Sequence, residues 1–133
     1  MSQENVEIAQ RGWDAFLEEG IEGIFRFYSE DAEIVDAPEL PDPTVGHGAQ
    51  GLRRLWGNLS EMWEAFSLTP TEFIDAGEDQ VIAVCAMKGS GKESGIPIPD
   101  TPLVLLYDLE DGLIVRQRAF LSRERALEAA GSD

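Results

Sequence analysis

The sequence predicts an α+β domain in which N-terminal helices lie on the concave face of a curved, cone-shaped antiparallel sheet. Three observations carry this. Amphipathic helical periodicity dominates the first half, β-branched and apolar runs dominate from Leu68 onward, and Asp111-Gly112 is a strong hairpin signal between two such runs. Helices first and a strand meander afterwards place the helices together on one sheet face. With 133 residues the chain is read as a single domain, 1–133, with one core.

Ser2 is a helix cap, and Val6, Ala9, Trp13, Phe16 and Leu17 recur at three- and four-residue spacing up to a stop at Gly20. Ile21 to Tyr28 repeats the pattern in a second short helix. Ala32 to Pro38, AEIVDAP, then reads as a short strand that ends in an acid, and Glu39 to Gly48 reads as a loop broken by Pro41, Pro43, Gly46 and Gly48. The longest helix is expected next, with Leu52, Leu55, Trp56, Leu59, Met62, Trp63 and Phe66 as its apolar stripe. Strands are expected over Leu68 to Ala76, with Pro70 marking an edge or bulge, and over Gln80 to Met87. Lys88 to Gly95 is a hairpin connection, followed by strands from about Ile98 to Leu109 and from Leu113 to Leu121. Ser122 caps a last helix, Arg123 to Ala130, that Gly131 ends.

The balance of 10 Lys plus Arg against 26 Asp plus Glu gives a formal net charge of −16, which repels nucleic acid and anionic lipid. Neither is expected as a partner. The single cysteine, Cys85, has no partner in the chain for a disulfide, which fits a reducing compartment. No apolar stretch approaches the roughly 18 residues that span a bilayer, and the N-terminal residues lack the apolar core of a signal peptide. A cytoplasmic location is the expectation.

Asp36 is the candidate for chemistry. Alternation along AEIVD carries it to the side of Ile34, and a carboxylate desolvated in an apolar pocket is a candidate general base. The plainer reading is a turn cap beside Ala37-Pro38. His47, the only histidine, lies in VGHGAQG, where it reads either as a loop residue or as a polarising group; with no second histidine, no metal site is assigned. Trp13, Phe16, Trp56, Trp63, Phe66 and Phe73 read either as an aromatic binding box or as core. On the last strand Gln117, Ala119 and Leu121 share one face, and Arg116, Arg118 and Phe120 the other.

The opening helix ending in EEG, then SEDAEIVDAP, VGHGAQGLRRLW, FIDAGEDQVIAV and DGLIVRQRAFLSRERALEAAG, in this order, resemble the nuclear-transport-factor-2-like superfamily and its SnoaL-like and ketosteroid-isomerase-like members. The resemblance runs from about Val6 to Ala130. It implies a cone-shaped α+β roll with a ligand pocket, no cofactor, and a homodimer through the outer sheet face of Arg116, Arg118 and Phe120. It places Asp36 at the general base of the isomerases, apart from the inserted Ala37. It places Trp13 and Trp56 where that site has tyrosines, and Leu103 or Val104 where it has a second acid. The catalytic aspartate of SnoaL-type cyclases falls at Ala119, and Gln117 is brought inward. The expected molecule therefore binds a small hydrophobic or polycyclic ligand through Trp13, Phe16, Trp56, Trp63, Gln117, Ala119 and His47. In one reading Asp36 works as the base of an isomerase, cyclase or hydrolase. In the other the domain binds without chemistry or dimerises as an accessory module.

Overall fold

The computed structural model describes residues 2–39, 43, 45–77, 79–92, 94–97 and 101–130. The capping side chain of Ser2, Pro41, the strand start near Ile98 and the helix stop at Gly131 lie outside what it describes.

Helix α1 (Ser2–Glu19) buries Ala9, Trp13 and Ala15 and ends at Gly20, whose N–H returns to the Phe16 carbonyl at 2.8 Å. Gly20 has φ of +81°, a left-handed stop that glycine adopts without strain. The expected second helix is a 3-10 helix, Ile21–Phe27. Seven residues with Gly23 among them are too few to sustain α geometry, and the tighter winding suits a short connector.

Strand β1 (Tyr28–Val35) pairs antiparallel with a three-residue strand β2 (Val45–His47), which lies inside the stretch expected to be loop. Helix α2 (Gly48–Met62) follows at once. Its start explains VGHGAQG: Gly48 has φ of +59°, and a Cβ there would sit 2.3 Å from the Glu30 carbonyl oxygen. A Cβ on Gly51 would meet the Gly46 backbone at 2.9 Å, so the helix rests directly on β2.

The apolar stripe was expected to carry α2 through Phe66, but α2 stops at Met62 and α1 is the longer helix. Trp63 and Phe66 instead belong to β3 (Trp63–Gly77). The cause is tertiary: β4 (Gln80–Gly91) runs past the expected end at Met87 and pairs Gly91 with Trp63 and Ser90 with Glu64. Strand β5 (Leu103–Glu110) leads through Asp111 and Gly112, both at positive φ as a type I′ turn requires, into β6 (Leu113–Phe120). In α3 (Arg123–Ala130) the Ser122 hydroxyl accepts from the Arg125 N–H at 3.2 Å, the predicted cap.

The six strands form one sheet in the order β2-β1-β6-β5-β4-β3. All neighbours are antiparallel except β1 and β6, which run parallel. Three register shifts along β3 and β4 bend that edge. Alternation then divides the core in two. Val81, Ala83, Cys85, Leu103, Leu105 and Tyr107 face α1 and α2. Ile82, Val84, Val104 and Leu106 face the opposite way and are covered by α3 through Ala126. Among the described residues no helix is long and apolar enough to cross a membrane.

Candidate functional site

Between the sheet and its N-terminal helices lies a cavity of about 60 Å³. That is several times the roughly 10–15 Å³ that admits one water. Trp13 and Phe16 of α1, Leu55 and Trp56 of α2, Leu103, Leu105 and Tyr107 of β5, Ile114 and Gln117 of β6, and Tyr28 at the head of β1 line it. Trp13, Phe16 and Trp56 of this lining form an aromatic ladder that continues to Phe66 of β3. Its ring centroids are 5.3, 5.1 and 5.6 Å apart, and the first two contacts are edge to face.

The polar atoms in this apolar space are paired. The Trp13 indole N–H donates to the Tyr107 hydroxyl at 3.0 Å, and the Tyr28 hydroxyl donates to the Gln117 carboxamide oxygen. Burial pushes both phenols above their ordinary value of 10.0, with the Tyr107 hydroxyl working the other way at Tyr28 and the Trp13 indole at Tyr107. Both stay neutral across physiological pH and serve as hydrogen-bonding groups, not as bases. Burial likewise pushes the nearby Cys85 thiol up to about 12, which removes it as a nucleophile.

Of the residues singled out from sequence, Trp13, Phe16, Trp56 and Gln117 come together in this wall. The others do not join them. Asp36 is buried, at 6% exposure, but lies in a groove at the far end of β1 with Val35, Pro38, Val45, Arg118 and Phe120. Its burial continues the alternation of Ala32 and Ile34, although Val35 is the last residue of β1 paired to a neighbour. Ala119 is buried and borders the same groove. His47 is exposed at the N-cap of α2 and makes no side-chain cap. Trp63, moved from helix to strand, is half-buried outside the cavity wall. Among the described residues no group of three or more His, Cys, Asp or Glu side chains is placed to hold a metal ion.

The sequence reading missed Tyr28 and Tyr107. Tyr28 fits the helical apolar spacing of Ile21, Ile24 and Phe25. Tyr107 had a usable signal, because it shares strand parity with Leu103, Leu105 and Leu109, all of which face the helices.

Comparison with known proteins agrees with this architecture. A nuclear-transport-factor-2-like protein from Burkholderia thailandensis superposes with a TM-score of 0.77 at 18% identity, covering 97% of this chain and 98% of that one. TerC, crystallised with polyporic acid, gives 0.73 at 20% identity over 97% and 99%. A putative SnoaL-like polyketide cyclase from Jannaschia gives 0.71 at 17% identity over 98% and 94%. At these identities the likeness is one of fold. No curated protein matches in sequence. The model of the SnoaL-like domain matches residues 9–117, most of the chain, and the protein belongs to that family.

Proposed function

We propose that this SnoaL-like protein binds a small hydrophobic molecule in the cavity beneath α1 and α2 and orients it by one polar atom. The observation that carries this reading is a set of two hydrogen-bonded pairs, Trp13 with Tyr107 and Tyr28 with Gln117, in otherwise apolar walls. A core that only had to pack would be cheaper without it, since each buried polar group must be fully satisfied to avoid a cost of about 1–3 kcal/mol. The aromatic ladder supplies flat surface for a ring system. A related fold crystallised with polyporic acid, and another named a polyketide cyclase, support a ligand of this kind.

The test is a titration of small aromatic ketones followed by tryptophan fluorescence, since Trp13 and Trp56 both border the cavity. Saturable quenching is expected, together with about tenfold weaker binding in Tyr107→Phe, the loss of one buried hydrogen bond. Absence of saturable quenching by any such compound overturns the reading.

A second reading adds turnover, with Asp36 as general base or water activator; its burial at 6% favours this. The reacting carbon of the substrate then has to reach the Asp36 end of β1. Asp36→Asn is expected to remove turnover and keep binding, and undiminished turnover in that variant ends this reading. Dimerisation through the outer sheet face of Arg116, Arg118 and Phe120 belongs to the same family-based proposal. Unchanged sedimentation of an Arg116→Glu, Arg118→Glu variant counts against it.

A further inference from the structure

Helices α1 and α2 hold four glycines, and backbone geometry accounts for two of them. Gly48 has φ of +59°, and a Cβ on Gly51 would meet the Gly46 backbone at 2.9 Å. Gly12 and Gly57 sit at ordinary helical positions without a positive φ. A Cβ placed on Gly57 meets nothing within 4 Å, and one placed on Gly12 meets only the Phe27 ring, at 3.8 and 3.9 Å, an ordinary van der Waals contact. Glycine in a helix interior lowers stability relative to alanine, because it loses more backbone freedom on folding. Neither strain nor packing therefore requires Gly12.

Gly12 differs from Gly57 in lining the cavity. Ala9, Trp13 and Phe16 line it as well, three residues before Gly12 and one and four after it, so this face of α1 is turned to the empty space. Trp13 and Phe16 close their part of the wall with rings, whereas at Gly12 the wall is bare backbone. The cavity of about 60 Å³ has room for roughly four to six waters at 10–15 Å³ each. At about 30 Å³ of liquid per water that amounts to roughly 120–180 Å³, and a dry cavity of about 150 Å³ in another protein holds benzene. The space is that of one six-membered ring, with little left over for an added methyl group.

We infer that Gly12 is a specificity-determining residue: its missing side chain keeps the cavity wide enough for one six-membered ring, so that the protein takes apolar ligands that insert such a ring, and a methyl group at this point would restrict it to narrow chains. The inference rests on the proposed binding function and adds the shape of the ligand. One methylene more or less in a close-fitting apolar site changes affinity by about 10–200-fold, which is enough to enforce the choice.

Two methyl ketones of equal carbon number test this: acetophenone, which carries a ring, and 2-octanone, which carries a narrow flexible chain. Their binding to the whole protein is measured by calorimetry, and the stability of each variant by thermal unfolding. Gly12→Ala is expected to weaken acetophenone by about tenfold or more and 2-octanone by less than about threefold. Gly57→Ala is expected to leave both affinities as in the wild type. Both variants are expected to raise Tm by about 4 °C, the gain from exchanging a helical glycine for alanine.

If neither ketone binds the wild type, the binding function fails and takes this inference with it. If the wild type binds 2-octanone and not acetophenone, or if Gly12→Ala binds acetophenone undiminished, Gly12 does not set the shape of the ligand and the binding function stands. Equal weakening of both ketones by Gly12→Ala, or the same weakening by Gly57→Ala, would assign the effect to a stiffer helix. A lowered Tm in Gly12→Ala would show that packing against Phe27 requires the glycine. Either of these results overturns the inference.

Discussion

Strand β6 serves two surfaces of different chemistry. Gln117 points to the helices and accepts from the neutral Tyr28 hydroxyl. Its neighbours Arg116 and Arg118 point away, into a charged network: Arg116 pairs with Glu33 at 3.0 Å, Arg118 with Asp108 at 3.4 Å, and Gln80 donates to Asp108 at 2.7 Å. The contrast shows how one sheet separates neutral polar groups from charged ones. An unpaired charge in the inner cavity would cost more than an apolar ligand returns, so that face uses groups that stay neutral. The outer face keeps water within reach and holds its charges as partners.

Core deletions give the largest way to break this comparison. Leu106 is fully buried on the α3 side, and Leu106→Ala is expected to cost about 2–5 kcal/mol in urea unfolding with ligand binding unchanged. Leu105, its neighbour in sequence, already borders the cavity. Leu105→Ala widens a space that exists, so it should cost less and should admit a larger ring system. Equal stability losses, with no change in ligand size, would mean that the cavity is not a working space.

The tyrosines sharpen the comparison further. The chain has only two, and both line the cavity and hydrogen-bond there. Because burial raises both above 10.0, the unfolded chain releases these protons first as pH rises. Their contribution to stability is complete below about pH 10 and is lost on the way up through the folded values. Phenolate absorbance near 295 nm should stay flat as pH passes 10 and appear only together with loss of structure. Ordinary titration centred at 10 would place at least one phenol in water.

Much of this architecture was legible in the sequence because it is written in periodicity. The α1 stripe, the Asp111-Gly112 turn and the Ser122 cap are local signals that the fold obeys. What failed was decided by partners distant in the chain. Trp63 and Phe66 keep the helical period of α2, yet β4 captures them as strand. Asp36 keeps the buried alternation of Ala32 and Ile34, yet borders a groove away from the cavity wall. For the site, four expected wall residues were found through apolar spacing and family likeness. The two phenols were missed because a tyrosine in an apolar run reads as packing until its hydroxyl has a partner. Here those partners are 89 residues away for Tyr28 and 94 for Tyr107.

The smallest effect concerns how α3 is held to the far side of the sheet. Arg123 donates from Nε and Nη2 to the two carboxylate oxygens of Glu72, each at 3.0 Å, tying α3 to β3. That side-chain hydrogen bond, more than the charge of Arg123, holds the Glu72 carboxyl below its ordinary value of 4.5. A depressed carboxyl contributes stability that is fully present above the unfolded value and disappears as pH falls through the folded one. The contribution should therefore be lost only below about pH 4.5, and because both side chains are about half exposed it should shrink with added salt. Glu72→Gln is expected to flatten the acid limb of the stability curve slightly while leaving ligand affinity at neutral pH untouched. A change in ligand affinity would show that the two faces communicate through β3 and β4, and that the separation of charge from recognition is incomplete.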